Sequence, residues 1–187
     1  MHAASDPALL GIVLIPDIPT YLDELAAWRS DRDGFFANHY ATPLSDEAIV
    51  AFAGLRYFPP DPTLVFRVEL SPAEAPISIE SSTGATSEYP GAGTVRVPFD
   101  SGPVDLWVLR GEEDDLFVPF RDATSGVATY EGGRYLALQS DPDDSFWVDF
   151  NRATNPYCAY DPDFSCPLPP YQNRLGFPVA AGELNYP

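Results

Sequence analysis

The 187-residue chain contains no lysine: its ten basic residues are all arginine, set against 28 acidic ones for a formal net charge of -18. It has only two cysteines, two histidines and one methionine. Each shortage excludes something. Without clustered positive charge there is no electrostatic footprint for a phosphate backbone, so a nucleic-acid partner is not expected. Two cysteines build neither a disulfide framework nor a complete zinc site. With His2 and His39 as the only histidines, a serine or cysteine nucleophile lacks a base, and no G-x-S-x-G elbow occurs. His2 stands at the terminus, and His39 follows the first helix as a surface or packing residue. No phosphate-binding or dinucleotide-binding glycine pattern appears, so no cofactor is implied, and no metal site is expected. No apolar run approaches the roughly 20 residues that span a bilayer. The run from Ala8 to Pro16 is too short, and without flanking basic residues it reads as a leader or extension over residues 1–19.

What is present describes a folded, strand-rich chain. An apolar fraction of 45% with 13% aromatics supports a sizeable core, while 21 prolines and 13 glycines imply short elements. A charge of -18 repels itself in dilute solution, but molar salt shortens the Debye length to roughly 3 Å and removes that cost. The composition therefore points to the cytoplasm of a halophile. The acids are spread along the chain, 19 against six arginines before residue 116 and nine against four after it. Acidity thus describes the setting rather than a site.

Thr20, with Asp23 three positions on, predicts a helix start, followed by an apolar stripe through Tyr21, Leu22, Leu25 and Trp28 and ended by Gly34. Ser45 predicts the cap of a shorter helix to about Leu55. From Leu64 the period changes to two, predicting strands at 64–70, 77–80, 94–99, 104–110, 116–121, 128–138 and 146–150. This spacing predicts a mainly β domain over residues 20–187: an antiparallel meander forming a sandwich or partly closed barrel, with one or two N-terminal helices. The acidic clusters Glu112 to Asp115 and Asp141 to Asp144 fall at loop tips. Asn151 to Pro170, rich in Pro, Asn, Tyr and Asp, is a long irregular loop whose aromatics imply ordered packing on the sheet.

The segments FVPFRDATSGVATYEGGRYL (117–136), VDFNRATNPYCAYDPDFSCPLPPYQNRL (148–175) and AAGE (180–183) resemble the domain of unknown function family 1684, which occurs in archaea and bacteria. YLDELAAWRSDRDGFF (21–36), TPL (42–44) and FAGLRYFPPDP (52–62) resemble its shorter archaeal members, so the resemblance runs from Tyr21 to Glu183. It implies no activity, because the family is defined by sequence.

The same block supplies the candidate site. Period two places Trp147, Asp149 and Asn151 on one face, opposite Phe146, Val148 and Phe150. Gly132 and Gly133 suggest a bulge that re-aims Arg134. A polar cluster of Asp122, Arg134, Asp149, Asn151, Asn155, Asn173, Arg174 and Glu183 is the result. Three readings compete. In the first, a ligand-binding β domain holds a small, anionic molecule among Trp147, Tyr130 and Tyr135, with Arg134 and Arg174 as anion selectors and Asn151, Asn155 and Asn173 as further ligand-binding groups. In the second, a hydrolase or isomerase uses the carboxylates of Asp122, Asp149 and Glu183 as acid and base. In the third, the same groups are buried ion pairs and caps in a structural or protein-interaction module. Both site readings require Asp149 and Arg134 to converge on a solvent-reachable pocket; the third seals them. Cys158 and Cys166 are expected as a buried reduced pair or a disulfide staple, with a metal site the least favoured reading.

Overall fold

The computed structural model describes residues 15, 17–73, 75–111 and 113–187. Most of the expected leader therefore lies outside the described residues, while its last two, Ile18 and Pro19, open helix α1 (Ile18–Asn38). The helix begins two residues before Thr20 because Pro19 suits a first turn, where its missing N–H costs nothing. Thr20 instead donates to Asp17 Oδ2 at 2.6 Å. Gly34 does not end the helix: Phe36 lies beyond it, 1% exposed and stacked near Phe52 and Tyr160, so burial carries the helix past the glycine. Helix α2 (Asp46–Ala51) is capped as expected, with Ser45 accepting from Ala48 N–H. It ends four residues short of Leu55.

The strands are β1 (Val65–Pro72), β2 (Ile77–Glu80), β3 (Thr86–Tyr89), β4 (Gly91–Phe99), β5 (Gly102–Arg110), β6 (Leu116–Phe120), β7 (Arg134–Ala137), β8 (Gln139–Ser140) and β9 (Ser145–Asp149). Seven form one antiparallel sheet in the order β7-β6-β5-β4-β1-β9-β8, and β2 and β3 form a separate hairpin. The sheet curls until its ends nearly meet: beyond β9, Thr154 exchanges two backbone bonds with Tyr135 of β7, at 2.8 and 2.9 Å. Of the two expected forms, a sandwich or a partly closed barrel, the antiparallel sheet takes the second. It departs from a simple meander where β1 lies between β4 and β9. The pairing of β4 with β5 is interrupted by a register shift between Gly91 and Gly93, and Gly93 also lies opposite Pro72 of β1. Gly93 adopts φ +144°, and a Cβ there would sit 2.1 Å from Ser71 O, so no side chain fits.

Inward side chains fill the barrel: Val95, Val97, Leu106, Val108, Val118, Phe120, Leu136, Val148 and Phe150 are all fully buried. Phe150 is the aromatic centre, with Phe66, Phe99 and Phe120 around it at 5.2–6.1 Å. The predicted strand 128–138 is half turn. Asp122 accepts the hydroxyls of Thr124 and Ser125, and this local bonding captures 122–129 in successive turns, leaving only Arg134–Ala137 extended.

The irregular segment after β9 is ordered by backbone pairing. Leu168 N–H donates to Glu80 O and Ser82 N–H to Cys166 O, which fasten the segment beside β2. Gly182, Glu183 and Leu184 bond Phe58, Ala153 and Arg56, drawing the C-terminus across one end of the barrel. The described residues of both acidic clusters fall at turns, where Arg110 pairs with Asp114 and Arg67 with Asp141 and Asp143.

Candidate functional site

Strand β9 and helix α1 build the first wall of the site. Trp147 and Asp149, two residues apart, face outward from the barrel as period two requires. Tyr21 on α1 reaches across and donates its hydroxyl to both Asp149 oxygens, at 3.0 and 3.1 Å. Arg152, three residues on, holds Asp149 from the other side at 3.3 Å. A cavity of about 340 Å³ opens over this group, lined also by Thr20, Val65 and Gln139.

A larger cavity of about 970 Å³ adjoins it, since Gln139 and Arg152 line both. Its walls are Trp28 and Arg32 of α1, Tyr89 of the hairpin, Phe117 and Tyr135 of β6 and β7, and Tyr157 and Pro167 of the irregular segment. The Arg152 guanidinium lies 5.4 Å from the Trp28 ring, so one arginine joins Asp149 to the aromatic wall. The two cavities together form a groove beneath α1. Its charges are mixed, with Asp17, Glu24, Glu88 and Asp115 among the lining residues beside Arg32, Arg110 and Arg152.

Burial pushes the Asp149 carboxyl above its ordinary range, and the donors from Asn151, Tyr21 and Arg152 oppose that rise only in part. Tyr21 is pushed up as well, by burial and by the Asp149 charge, so its proton stays in place as the donor. A carboxyl whose folded pKa is raised contributes stability that is complete below its ordinary value near 3.8 and is lost as pH rises through the folded value. The stability difference between the wild type and Asp149→Asn should therefore shift against the wild type from about pH 4 upward. Denaturant unfolding at fixed molar KCl measures it, and a pH-independent difference would refute the assignment.

The other candidate residues do not join this group. Arg134 and Asp122 lie inside the barrel, both side chains at 0% exposure and 3.3 Å apart. Arg134 also donates to Ala181 O and to Val179 O, and Asp122 Oδ2 accepts from Val179 N–H at 2.6 Å. Asp149 and Arg134 thus do not converge on one pocket, as both site readings required; the pocket that Asp149 does reach is the groove beneath α1, and Arg134 has no part in it. Glu183, 1% exposed, accepts from Arg32, from Asn155 N–H and from Tyr160, tying α1 to the C-terminus. Asn151 bonds both backbone groups of Asp61 and supports Asp149. Asn155 donates to Leu184 O.

Asn173 stands where β5 and β6, paired only at 109–110 with 116–117, diverge; its amide bonds Trp107 N–H, Trp107 O and Pro119 O in place of a ladder. Tyr130 and Arg174 line a third cavity, of about 260 Å³. Gln139 and Arg152 were not singled out from the sequence, and Tyr21 and Trp28 were read only as part of the apolar stripe of the first helix. For Arg152 a signal existed, because an arginine three residues after Asp149 is spaced to pair with it.

Cys158 and Cys166 are buried free thiols, with Cys158 N–H donating to Cys166 Sγ at 3.3 Å. The Cys166 thiol, as a donor, holds Cys158 below the ordinary thiol range, while Cys166 moves up. His39 stacks on Phe35 and Tyr40. Among the described residues no three His, Cys, Asp or Glu side chains gather as metal ligands, and no helix is long and apolar enough to cross a membrane.

No curated protein matches the chain. Among solved structures, an uncharacterized protein of Haloarcula marismortui, determined by solution NMR, superposes with a TM-score of 0.71 at 38% sequence identity, covering 90% of this chain and 96% of that one. Its halophilic source fits a chain carrying 28 acids and no lysine. The family model described as "Protein of unknown function (DUF1684)" matches residues 50–184, which span β1 to β9, Arg152, the irregular segment and Glu183, and the chain belongs to that family.

Proposed function

We propose that residues 20–187 act as one small-molecule-binding β domain whose ligand lies in the groove beneath α1, in a salt-rich cytoplasm. The observation that carries this reading is the pair of adjoining cavities, about 340 and 970 Å³, joined at Arg152 and walled by Trp28, Trp147 and Tyr135. Such volumes and aromatic walls suit organic ligands of metabolite size. Mixed charge in the groove favours a ligand with an apolar or aromatic body and a few polar groups, one of which meets Arg152.

Thermal-shift screening of a metabolite library in molar KCl tests this. A ligand present at a hundredfold excess over its dissociation constant should raise the melting temperature by roughly 5–10 °C. That shift should fall sharply in Trp28→Ala and in Arg152→Gln. Hits whose shifts persist in both variants bind elsewhere and would sink the reading.

A second reading, a carboxylate-dependent hydrolase or isomerase, is favoured by one observation: Asp149 is buried, raised in pKa and at a cavity wall. Against it, both Asp149 oxygens already accept from Tyr21, one accepts from Asn151 as well, and Arg152 pairs with the other. Asp149→Asn separates the two. An enzyme would lose turnover while keeping ligand affinity, whereas in a binder the affinity itself falls.

A further inference from the structure

Eight of the ten arginines are engaged. Arg32, Arg67, Arg96, Arg110, Arg134 and Arg152 pair with carboxylates, and Arg29 and Arg56 donate to the carbonyls of Phe58 and Asn185. Among the described residues, the side chains of Arg121 and Arg174 make no hydrogen bond or ion pair. They are also neighbours. Arg121 N–H donates to Asn173 O at 3.0 Å and Leu175 N–H to Arg121 O at 2.7 Å, which forms a parallel bridge between Arg121 and Arg174. Residues so paired project to the same face. Both line the 260 Å³ cavity, with Ser82, Tyr130 and Leu168 as its other walls and Glu131 on its lining, within ion-pair distance of neither arginine.

The cavity depends on the glycine pair beside it. A Cβ at Gly132 would come 2.4 Å from the Tyr130 ring, and one at Gly133 would come 2.5 Å from Phe120 O and 2.8 Å from Arg121 Cγ. Gly133 also adopts φ +95°. The turn can therefore close tightly enough to set Tyr130 and Arg121 against one hollow.

Two like charges that line one hollow repel. An anion between them removes the repulsion. One planar guanidinium satisfies a carboxylate; two forks on one face match a tetrahedral dianion that can accept from both. We propose that Arg121 and Arg174 form an oxyanion site that takes a phosphate group, separate from the groove beneath α1.

The test is an amide chemical-shift titration of the full chain at constant ionic strength in KCl, with inorganic phosphate, phenyl phosphate and acetate as probes. Saturable changes at 121, 132 and 174 are expected with the phosphates. Arg121→Gln and Arg174→Gln should each weaken binding about tenfold or more, with little change in melting temperature because neither side chain has a partner to lose. Tighter binding of phenyl phosphate identifies the phosphoryl group of a larger molecule as the ligand, and equal binding identifies phosphate itself. Either result supports the site. The absence of saturation, affinity unchanged in both variants, or acetate binding as tightly as phosphate would overturn it.

Discussion

Asp122→Ala should destabilise the protein by about 3–5 kcal/mol, a cost set by the charge it strands. Arg134 is fully buried over the Phe120 ring, and burial pushes it down to about 10 with Asp122 opposing that fall. Its other acceptors are two backbone carbonyls, and its Nε has no partner among the described residues. Removing the carboxylate leaves a cation in the barrel and deprives Val179 N–H of its acceptor. Equilibrium unfolding in denaturant at fixed molar KCl gives the number. A loss below about 1 kcal/mol would mean that Arg134 reaches water. Because a buried ion pair repays its own desolvation poorly, Asp122→Asn combined with Arg134→Met should recover most of the loss. If the double variant is no better than Asp122→Ala, the bonds to Val179 and the two hydroxyls carry the energy instead.

A loss of similar size, about 3–5 kcal/mol, is expected for Glu183→Ala. This carboxylate ties two distant parts of the chain to the C-terminus: Arg32 of α1, and Asn155 with Tyr160 of the irregular segment. Arg32 also donates to Tyr57 at 3.2 Å, so the network spans the end of the barrel covered by the C-terminus. Glu183→Gln keeps the shape and can still accept, so it should cost roughly 1–3 kcal/mol. Since Arg32 also lines the larger cavity, Glu183→Ala should weaken any groove ligand, and Asp122→Ala should leave one unaffected once the protein is folded. Hydrogen exchange provides the local measure, with protection in α1 lost in the first variant and kept in the second. If exchange in α1 is unchanged by Glu183→Ala, the helix is held by its apolar contacts alone.

These predictions concern residues whose importance was legible before their positions were. Asp122, Arg134 and Glu183 were all members of the polar cluster read from the motif. Their direction was not legible, because alternation states which residues share a face and not which face meets water. Register decides it: Arg134 lies opposite Phe120 and Leu136 opposite Val118, so Arg134 belongs to the face that fills the barrel. Strand β3 was missed because Thr86, Ser87 and Glu88 are exposed and carry no apolar alternation. Asn173 lay within the quoted motif, but its use as a substitute ladder between β5 and β6 depends on two strands diverging more than 50 residues before it. Arg121 passed as the end of a strand until the chain returned at Arg174 to pair with it.

By itself the sequence determined the properties that depend on residues close along the chain or on totals. These are the lysine-free acidic charge, the strand-rich class, the capped second helix and the outward pairing of Trp147 with Asp149. Tertiary structure decided which charges meet each other and which meet solvent. Of the polar cluster read from the motif, it sealed Asp122, Arg134 and Glu183 in hydrogen-bonded networks, left Asp149 at a groove, and set Arg174 beside Arg121. The physical reason is that desolvation and ion pairing depend on distances across the barrel, and those are set by sheet register and closure between segments far apart in the chain.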